Sequence, residues 1–287
     1  MSGPVKTSIM LSSIALGILI PEASILSFLI KYFLMCMLFF AFLDLEFIKE
    51  IFALNHLYIV IYLVGISFVV YFIGSLINDN LGLALFITAI APSAISSAPV
   101  ISYLKGNVGY VTFAVLVTNI SIALILPFIL PVILPNSTDI SLMQLVVPVF
   151  SVVFIPLTIS VIVKYFIRPV FLFFNKISIL SFLFFTSNIF LAMSSASNYL
   201  RTNSDQPINI LIMLALGIII LTAMNFSFGW LIGGSKYAKE TSNAIGQKNT
   251  MFAIWISLTF INPIVALGPM MYTVCHNLFV SYQLYKS

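Results

Sequence analysis

Charged residues are scarce along the whole of this chain. Its 287 residues include 12 Lys or Arg and 8 Asp or Glu, whereas 61% of the residues are hydrophobic. A soluble domain is usually about one quarter charged, because its surface has to stay hydrated. Most of the surface of this chain must therefore face lipid. The charges that remain are expected to set its orientation or to serve its function.

The apolar residues form ten continuous runs, and each run is a candidate membrane-spanning helix. A helical span needs about 20 residues, whereas a closed barrel needs short segments of alternating polarity. The predicted fold class is therefore an all-α integral membrane protein with ten transmembrane helices. The predicted spans are residues 7–20, 23–44, 56–77, 82–104, 107–134, 140–166, 170–199, 208–233, 239–261 and 264–284. Turn-forming clusters separate several of them: Pro21-Glu22, Asn78-Asp79-Asn80, Pro135-Asn136-Ser137, Gly233-Gly234-Ser235 and Asn262-Pro263.

The basic residues orient these spans. If the N-terminus lies in the cytoplasm, Arg201 falls outside, Lys31 and Lys248 lie within spans, and nine basic residues fall at or near the inner side. The nine are Lys6, Lys49, Lys105, Lys164, Arg168, Lys176, Lys236, Lys239 and Lys286. Cytoplasmic loops carry an excess of Lys and Arg. The pattern predicts an even number of spans with both termini in the cytoplasm, and the expected location is the bacterial inner membrane.

Ten spans divide into two halves of five, residues 1–138 and 139–287. Because five is odd, the two halves cross the membrane in opposite orientations, as in transporters built from inverted repeats. The halves show no convincing residue-by-residue match. The two inverted five-helix repeats are therefore predicted from the number of spans alone.

The fourth predicted span is interrupted by two prolines. Pro92 and Pro99 lie within it, with Ser93, Ser96 and Ser97 between them. Each proline removes a backbone donor and clashes with the preceding turn, so carbonyl groups need partners that hydroxyls, water or an ion can supply. This pattern predicts a broken helix that binds substrate or ions. The alternative is a kinked helix without a ligand.

The ninth predicted span holds a polar stretch at the equivalent place in the second half. Its polar or flexible residues are Asn243, Gly246, Gln247, Lys248, Asn249 and Thr250. Such groups are costly in lipid unless they face protein or water. The stretch predicts a second broken helix with a binding role. The alternative is a cytoplasmic loop, although the apolar run of residues 251–261 alone is too short to cross a membrane.

Other polar residues are candidates for the same site. Thr118, Asn119 and Ser121 lie in the fifth span, Asn225 in the eighth and His276 in the tenth. Helix packing through small polar groups is an alternative explanation for them, and His276 is either a packing residue or part of the site.

Three stretches resemble the bile acid:sodium symporter family. They are "APSAISSAPVISYLKGN" followed by "VGYVTFAVLVTN", then "AIGQKN", and then "VCHNLF", and "LDLEF" adds a weaker similarity. The resemblance extends over nearly the whole chain and implies a panel domain of spans 1, 2, 6 and 7 and a core domain of spans 3, 4, 5, 8, 9 and 10. It also implies that the broken fourth and ninth helices cross, and that an organic anion moves together with two sodium ions.

The chain departs from this family at the implied sodium sites. The family's Glu aligns with Ala244, its Gln with Lys248, and a Ser-Asn pair falls at Ala98 and Pro99. Sodium needs oxygen ligands and is repelled by an adjacent cation, so these sites are degraded here. Glu240 lies one turn before Ala244 and could compensate only if the helix extends that far, which we do not expect.

Lys248 has three interpretations at this stage. Its ammonium could take the place of a bound cation among the oxygens of the crossing, it could bind an anionic substrate, or it could snorkel to the inner interface. A lysine that exchanges its proton would couple transport to the proton gradient. Whether sodium, protons or neither drives transport stays open.

The predicted function is secondary transport of a small organic anion by alternating access. One alternative is a sodium-coupled bile acid or organic anion symporter with rearranged ion sites, and another is a membrane assembly subunit without transport. Enzymatic activity is not expected, because the chain has only two histidines, His56 and His276, and no mid-membrane acidic cluster. No cofactor is expected. The expected partners are the organic anion and the lipid bilayer, with no nucleic acid, and the chain is expected to be a monomer or homodimer.

Overall fold

A computed structural model describes residues 3–44, 53–134, 141–202 and 208–286. In these ranges the chain forms twelve α-helices, one 3-10 helix and no strand. The α-helices are α1 (Gly3–Leu19), α2 (Leu29–Asp44), α3 (Leu54–Ser75), α4 (Asp79–Ile90), α5 (Ser97–Tyr103), α6 (Val108–Ile133), α7 (Leu142–Phe166), α8 (Arg168–Lys176), α9 (Ile179–Thr202), α10 (Ile208–Gly246), α11 (Thr250–Phe260) and α12 (Leu267–Lys286), and the 3-10 helix is Pro21–Leu26. Lys49, the predicted break at Pro135-Asn136-Ser137 and most of "LDLEF" lie outside the described residues.

Five of these helices are long and apolar enough to cross a membrane: α3, α6, α7, α9 and α10. Shorter apolar helices occupy residues 8–19, 29–43, 79–90 and 250–260. The all-helical fold and the long apolar helices are those of a membrane-embedded protein. The arrangement of ten spans as two inverted repeats stays a prediction, because several of the predicted spans consist of short helices.

The fourth predicted span is interrupted, but by a shorter segment than its two prolines suggest. Helix α4 ends at Ile90, α5 begins at Ser97, and Pro92 lies between them. Pro99, however, is the third residue of α5. The backbone N–H groups in the first turn of a helix have no acceptor within the helix, so proline is tolerated there. The expectation that Pro99 breaks the helix is wrong.

The ninth predicted span is interrupted at residues 247–249, between the end of α10 and the start of α11. Helix α10 itself consists of two arms, residues 208–233 and 238–246, joined at Gly234. Gly234 has φ 59° and ψ −154°, a conformation that essentially only glycine adopts. The second arm includes Glu240, so the helix extends farther than expected, and the alternative of a cytoplasmic loop over the polar stretch is wrong.

The predicted seventh span begins too early. Residues 168–176 form the separate helix α8, which has Pro169 in its first turn and no buried residue. Phe174 of α8 packs edge-on against Phe39 and Phe40 of α2, with ring centroids 4.9 and 5.9 Å apart. The membrane-length helix α9 begins only at Ile179.

Glycines allow the helical segment that leads into each interruption to pack closely on the segment before it. A Cβ atom on Gly74 of α3 would lie 2.8 Å from the Cα of Gly82 of α4. Likewise, a Cβ on Gly229 in the first arm of α10 would lie 2.6 Å from the Cα of Ser242 in the second arm. Small residues permit such close backbone approach between apolar helices, where packing drives association.

The helices group into two compact units. One unit contains the 3-10 helix, α1, α2, α7, α8, α9 and residues 254–260 of α11. The other contains α3, α4, α5, α6, α10, α12 and residues 250–253 of α11. All the residues predicted to bind substrate or ions belong to this second unit.

Candidate functional site

The two interrupted segments, residues 91–96 and 247–249, pair with each other, and we call the paired segments the crossing. Ser93 and Lys248 form an isolated antiparallel bridge at its centre. Two backbone hydrogen bonds of 2.8 Å join the segments, from Ala94 N–H to the Gln247 carbonyl and from Asn249 N–H to the Pro92 carbonyl. Buried backbone groups that leave a helix need new partners. Each broken helix supplies them to the other.

The side chains of Ser93 and Lys248 cap each other's helices. The Ser93 hydroxyl donates to the carbonyl of Ala244, in the last turn of α10, and the Lys248 ammonium donates to the carbonyl of Ala89, 2.7 Å away in the last turn of α4. Each carbonyl belongs to the residue four positions before the bridge partner. The last carbonyls of a helix lack intrahelical partners and carry partial negative charge. Both helix ends at the crossing are therefore satisfied by side chains from the opposite segment.

Lys248 is almost completely buried, with 1% of its surface exposed. This burial rules out snorkelling to the interface. In the part of the chain that the structure describes, no carboxylate forms an ion pair with Lys248. Glu240 accepts instead from the backbone N–H of Asn107 at the start of α6, 2.8 Å away. Glu240 thus holds the start of α6, and the charge of Lys248 is left without a paired anion.

Helices α6 and α12 each provide one acceptor to the centre of the crossing. The Ser93 N–H donates to Thr118 Oγ1 at 3.2 Å, and the Lys248 N–H donates to His276 Nδ1 at 3.4 Å. Because a backbone N–H can only donate, His276 Nδ1 accepts, which places the ring proton on Nε2. His276 is 6% exposed, so it acts here as a buried partner of the crossing backbone.

Amide side chains extend the network on both sides of the bridge. Asn119 Nδ2 donates to the carbonyls of Ser93 and Val115, at 3.0 and 2.8 Å, and Asn119 Oδ1 accepts from Asn249 Nδ2 at 3.4 Å. Gln247 Oε1 accepts from Ser96 Oγ at 3.3 Å. The amides can both donate and accept, so they can exchange these partners for a polar ligand.

Asn243 and Asn225 hold the second arm of α10 in place. Gln247 Nε2 donates to Asn243 Oδ1 at 2.8 Å. Asn225 Nδ2 donates to the hydroxyl of Tyr272, which donates in turn to the carbonyl of Gly246, and both distances are 2.8 Å. Tyr272 is fully buried, and the sequence analysis did not single it out.

Three predicted residues lie apart from this network. Ser121 is half-buried on α6 and, within the described residues, makes no hydrogen bond to the crossing. Ser97 donates to the Ala94 carbonyl at 2.6 Å and thereby closes the first turn of α5. Ala98 is buried in an apolar cluster with Ile101. Ser97 and Ala98 thus shape the start of α5, and Ser121 lies on α6.

Metal-ligating side chains do not cluster anywhere in the described residues: no group of three or more His, Cys, Asp or Glu is found there. The polar groups of the crossing are hydroxyls, amides, backbone carbonyls, one imidazole and one ammonium. This set suits hydrogen bonding and an anion better than a divalent metal, whose sites are rich in carboxylates or thiolates.

Replacing Tyr272 by Phe is expected to lower the free energy of unfolding by about 1–3 kcal/mol, the cost of leaving buried polar groups unpaired. The change removes the hydroxyl that joins Asn225 to the Gly246 carbonyl. Thermal unfolding of the purified protein in lipid nanodiscs measures the loss. Tyr282→Phe, at an exposed tyrosine of the same helix, is the control and should unfold like the wild type. Equal stability of the two variants would contradict the role given to Tyr272.

No protein-family model matches this chain, and no curated protein matches it significantly in sequence. The resemblance to the bile acid:sodium symporter family therefore rests on the short stretches quoted above and stays an expectation.

Proposed function

We propose that this protein is a secondary transporter that moves a small organic anion across the membrane by alternating access. The observation that carries the proposal is the crossing: two interrupted helices in a membrane-embedded protein, paired through their broken segments and surrounded by buried polar side chains. Secondary transporters build their binding sites from such discontinuous helices. The proposed location is the bacterial inner membrane with both termini in the cytoplasm, supported by the distribution of basic residues.

The cost of the crossing supports a binding role. Irregular backbone at membrane depth is tolerated only where protein buries it or where it lines a water-filled cavity. A buried ionisable residue such as Lys248 is also expensive there and is a functional-site hypothesis by default. A subunit with a purely structural role could use two continuous apolar helices and avoid both costs.

The matched contacts of the two segments support the inverted repeat. In each half, a central residue forms the bridge to the other half, and its side chain caps the carbonyl of the residue four positions before its bridge partner. Its backbone N–H donates to a side chain on a later helix of its own half. The two sets are Ala89, Ser93 and Thr118 in the first half and Ala244, Lys248 and His276 in the second. Such reciprocity is expected when two inverted repeats meet at a shared site.

The charge of the site supports an anionic substrate. Lys248 is buried and has no ion-paired carboxylate in the described part of the chain. In a medium of low dielectric constant, an uncompensated positive charge attracts anions strongly and repels cations. Carboxylates and sulfonates are the organic anions that the amides and hydroxyls of the crossing could also hydrogen-bond.

The grouping of the helices into two compact units supports alternating access. This mechanism requires one bundle of helices to move as a body against another around a fixed site. The crossing and all the side chains bound to it belong to one unit. The division into panel and core domains remains part of the proposal.

The experiment that tests the proposal measures binding by thermal stabilisation in lipid nanodiscs. Carboxylates and sulfonates of graded size are compared with the neutral amide of each. A ligand at 100 times its Kd stabilises the folded state by about 2.7 kcal/mol, so weak binders are detectable. We expect saturable stabilisation by at least one anion and none by its amide, together with counterflow of that anion in proteoliposomes. Leu124→Ala, on the exposed side of α6, serves as a control that should bind like the wild type.

Stabilisation by no small molecule would contradict transport and favour a membrane assembly subunit. Equal stabilisation by an anion and its neutral amide would contradict the role of charge. Anion binding that appears only with sodium would favour a sodium-coupled symporter with rearranged ion sites.

A further inference from the structure

The carbonyl end of α4, where the helix is interrupted, offers a place where a cation can bind. The helix stops at Ile90, so the carbonyls of its last turn have no partners within the helix. Ala89 and Ile90 are fully buried, so water cannot replace those partners freely. Partial negative charge accumulates at this end, and the carbonyl ends of broken helices in transporters coordinate coupling cations.

This end is already occupied by a cation that belongs to the chain. The Lys248 ammonium lies 2.7 Å from the Ala89 carbonyl oxygen and is buried with it. The ammonium is a compact charge with three donors, comparable in role to a monovalent ion among oxygens. At the matched end of α10, a neutral hydroxyl from Ser93 caps the Ala244 carbonyl. The two helix ends thus receive equivalent caps that differ by one positive charge.

Resting on the proposed function, we propose that the Lys248 ammonium is the resident cation of the crossing and takes the part that a soluble coupling ion plays at a broken helix end. It is tethered by its own side chain to one segment and binds the carbonyl end of the other. The cation that draws the anion is therefore part of the chain and is not taken up from solution. Substrate binding then requires no sodium ion at the end of α4.

The first test uses the wild-type protein in lipid nanodiscs. The Kd for an anionic ligand is measured in sodium, potassium and choline salts at equal ionic strength. Equal values within a factor of about two are expected, a free-energy difference well below the 1.4 kcal/mol of a tenfold change. An affinity tenfold or more higher in sodium than in choline would overturn the proposal.

The second test removes the ammonium and offers a soluble replacement. Lys248→Ala is expected to lower the Tm, and methylammonium or ethylammonium is expected to restore at least half of the loss in a saturable manner. Ser93→Ala is the matched control: it removes the neutral cap of α10, so alkylammonium ions should not restore its Tm. Lys248→Met, which fills the space without charge, should also show no rescue.

Rescue of Lys248→Ala and Ser93→Ala to the same extent, or of neither, would overturn the proposal. If Lys248→Ala does not fold, the comparison of sodium and choline on the wild type still decides it. The two proposals can fail separately. If no anion binds, transport of an organic anion is contradicted, while alkylammonium rescue of Lys248→Ala remains a direct measure of the resident cation.

Discussion

Asn119→Asp is expected to weaken anion binding at least tenfold and to destabilise the protein. The amide of Asn119 donates to the carbonyls of Ser93 and Val115, and a carboxylate of the same shape offers both of them only an acceptor. The Val115 carbonyl also accepts from Thr118 Oγ1, whereas the Ser93 carbonyl loses its side-chain donor. A buried acceptor left unpaired costs about 1–3 kcal/mol, and this is the expected loss of stability. The new negative charge also offsets the positive charge of Lys248 and repels an anionic ligand.

Thermal unfolding and anion titration of Asn119→Asp in nanodiscs measure the two effects separately. Anion affinity is expected to fall at least tenfold, which corresponds to about 1.4 kcal/mol. Leu124→Ala, on the exposed side of the same helix, controls for a general effect of changing α6 and should stay within about 0.5 kcal/mol of the wild type. An Asn119→Asp protein that binds the anion as the wild type does would rule out the crossing as the binding site.

Gly229→Val is expected to lower the stability of the protein strongly. A Cβ at position 229 would lie 2.6 Å from the Cα of Ser242 and 2.8 Å from the carbonyl oxygen of Thr241. Both are backbone atoms, so no flexible side chain can move aside. Overpacking of a core costs about 1–3 kcal/mol and occasionally more, and a clash with backbone belongs to the upper part of this range. We expect a loss of about 3 kcal/mol or more.

The same change is expected to disturb the crossing at a distance. Ser242 belongs to the second arm of α10, which ends at Gly246 and leads directly into Lys248. Displacing this arm moves the Ala244 carbonyl away from Ser93 and so weakens the caps on both helix ends. The yield of monodisperse protein, its Tm and its anion affinity measure the result.

Gly65→Ala provides the control for Gly229→Val. Gly65 lies in α3, and no atom lies within 4 Å of the position that its Cβ would occupy. Alanine is favoured over glycine inside a helix by about 1 kcal/mol, so this variant should be as stable as the wild type or slightly more stable. If both glycine variants had the same Tm, close packing of the two arms of α10 would not be a source of stability.

The interruptions of the fourth and ninth spans could be predicted from the residues that occupy them. Pro92 removes a backbone donor and disfavours the turn before it, and the polar stretch that contains Lys248 is costly against lipid, so both places favoured a departure from a continuous apolar helix. The prediction that Pro99 breaks the helix was wrong because a proline disrupts a helix only where the missing backbone N–H would have been hydrogen-bonded. The sequence alone does not show where the next helix begins. The separate helix α8 was missed for the same reason, since its aromatic residues extend the apolar run of α9.

The partners within the crossing could not be predicted. Lys248 binds the carbonyl of Ala89, which is a backbone atom 159 residues away, and any residue at position 89 would offer the same atom. Glu240 was considered as a replacement for the carboxylate missing from the implied sodium site, yet it accepts a hydrogen bond from the backbone N–H of Asn107. Tyr272 was one tyrosine among twelve, and only its burial between Asn225 and Gly246 distinguishes it.

The amino-acid sequence by itself indicated a membrane-embedded protein and favoured interruptions in two of its apolar segments. Both conclusions follow from local costs, because charges and helix-breaking residues are unfavourable in a bilayer wherever the rest of the chain lies. Only the tertiary structure decided that the two breaks pair, and that an ammonium closes one helix end where a hydroxyl closes the other. Those contacts depend on which carbonyl lies within hydrogen-bond distance, and that distance is set by the packing of helices far apart in the chain.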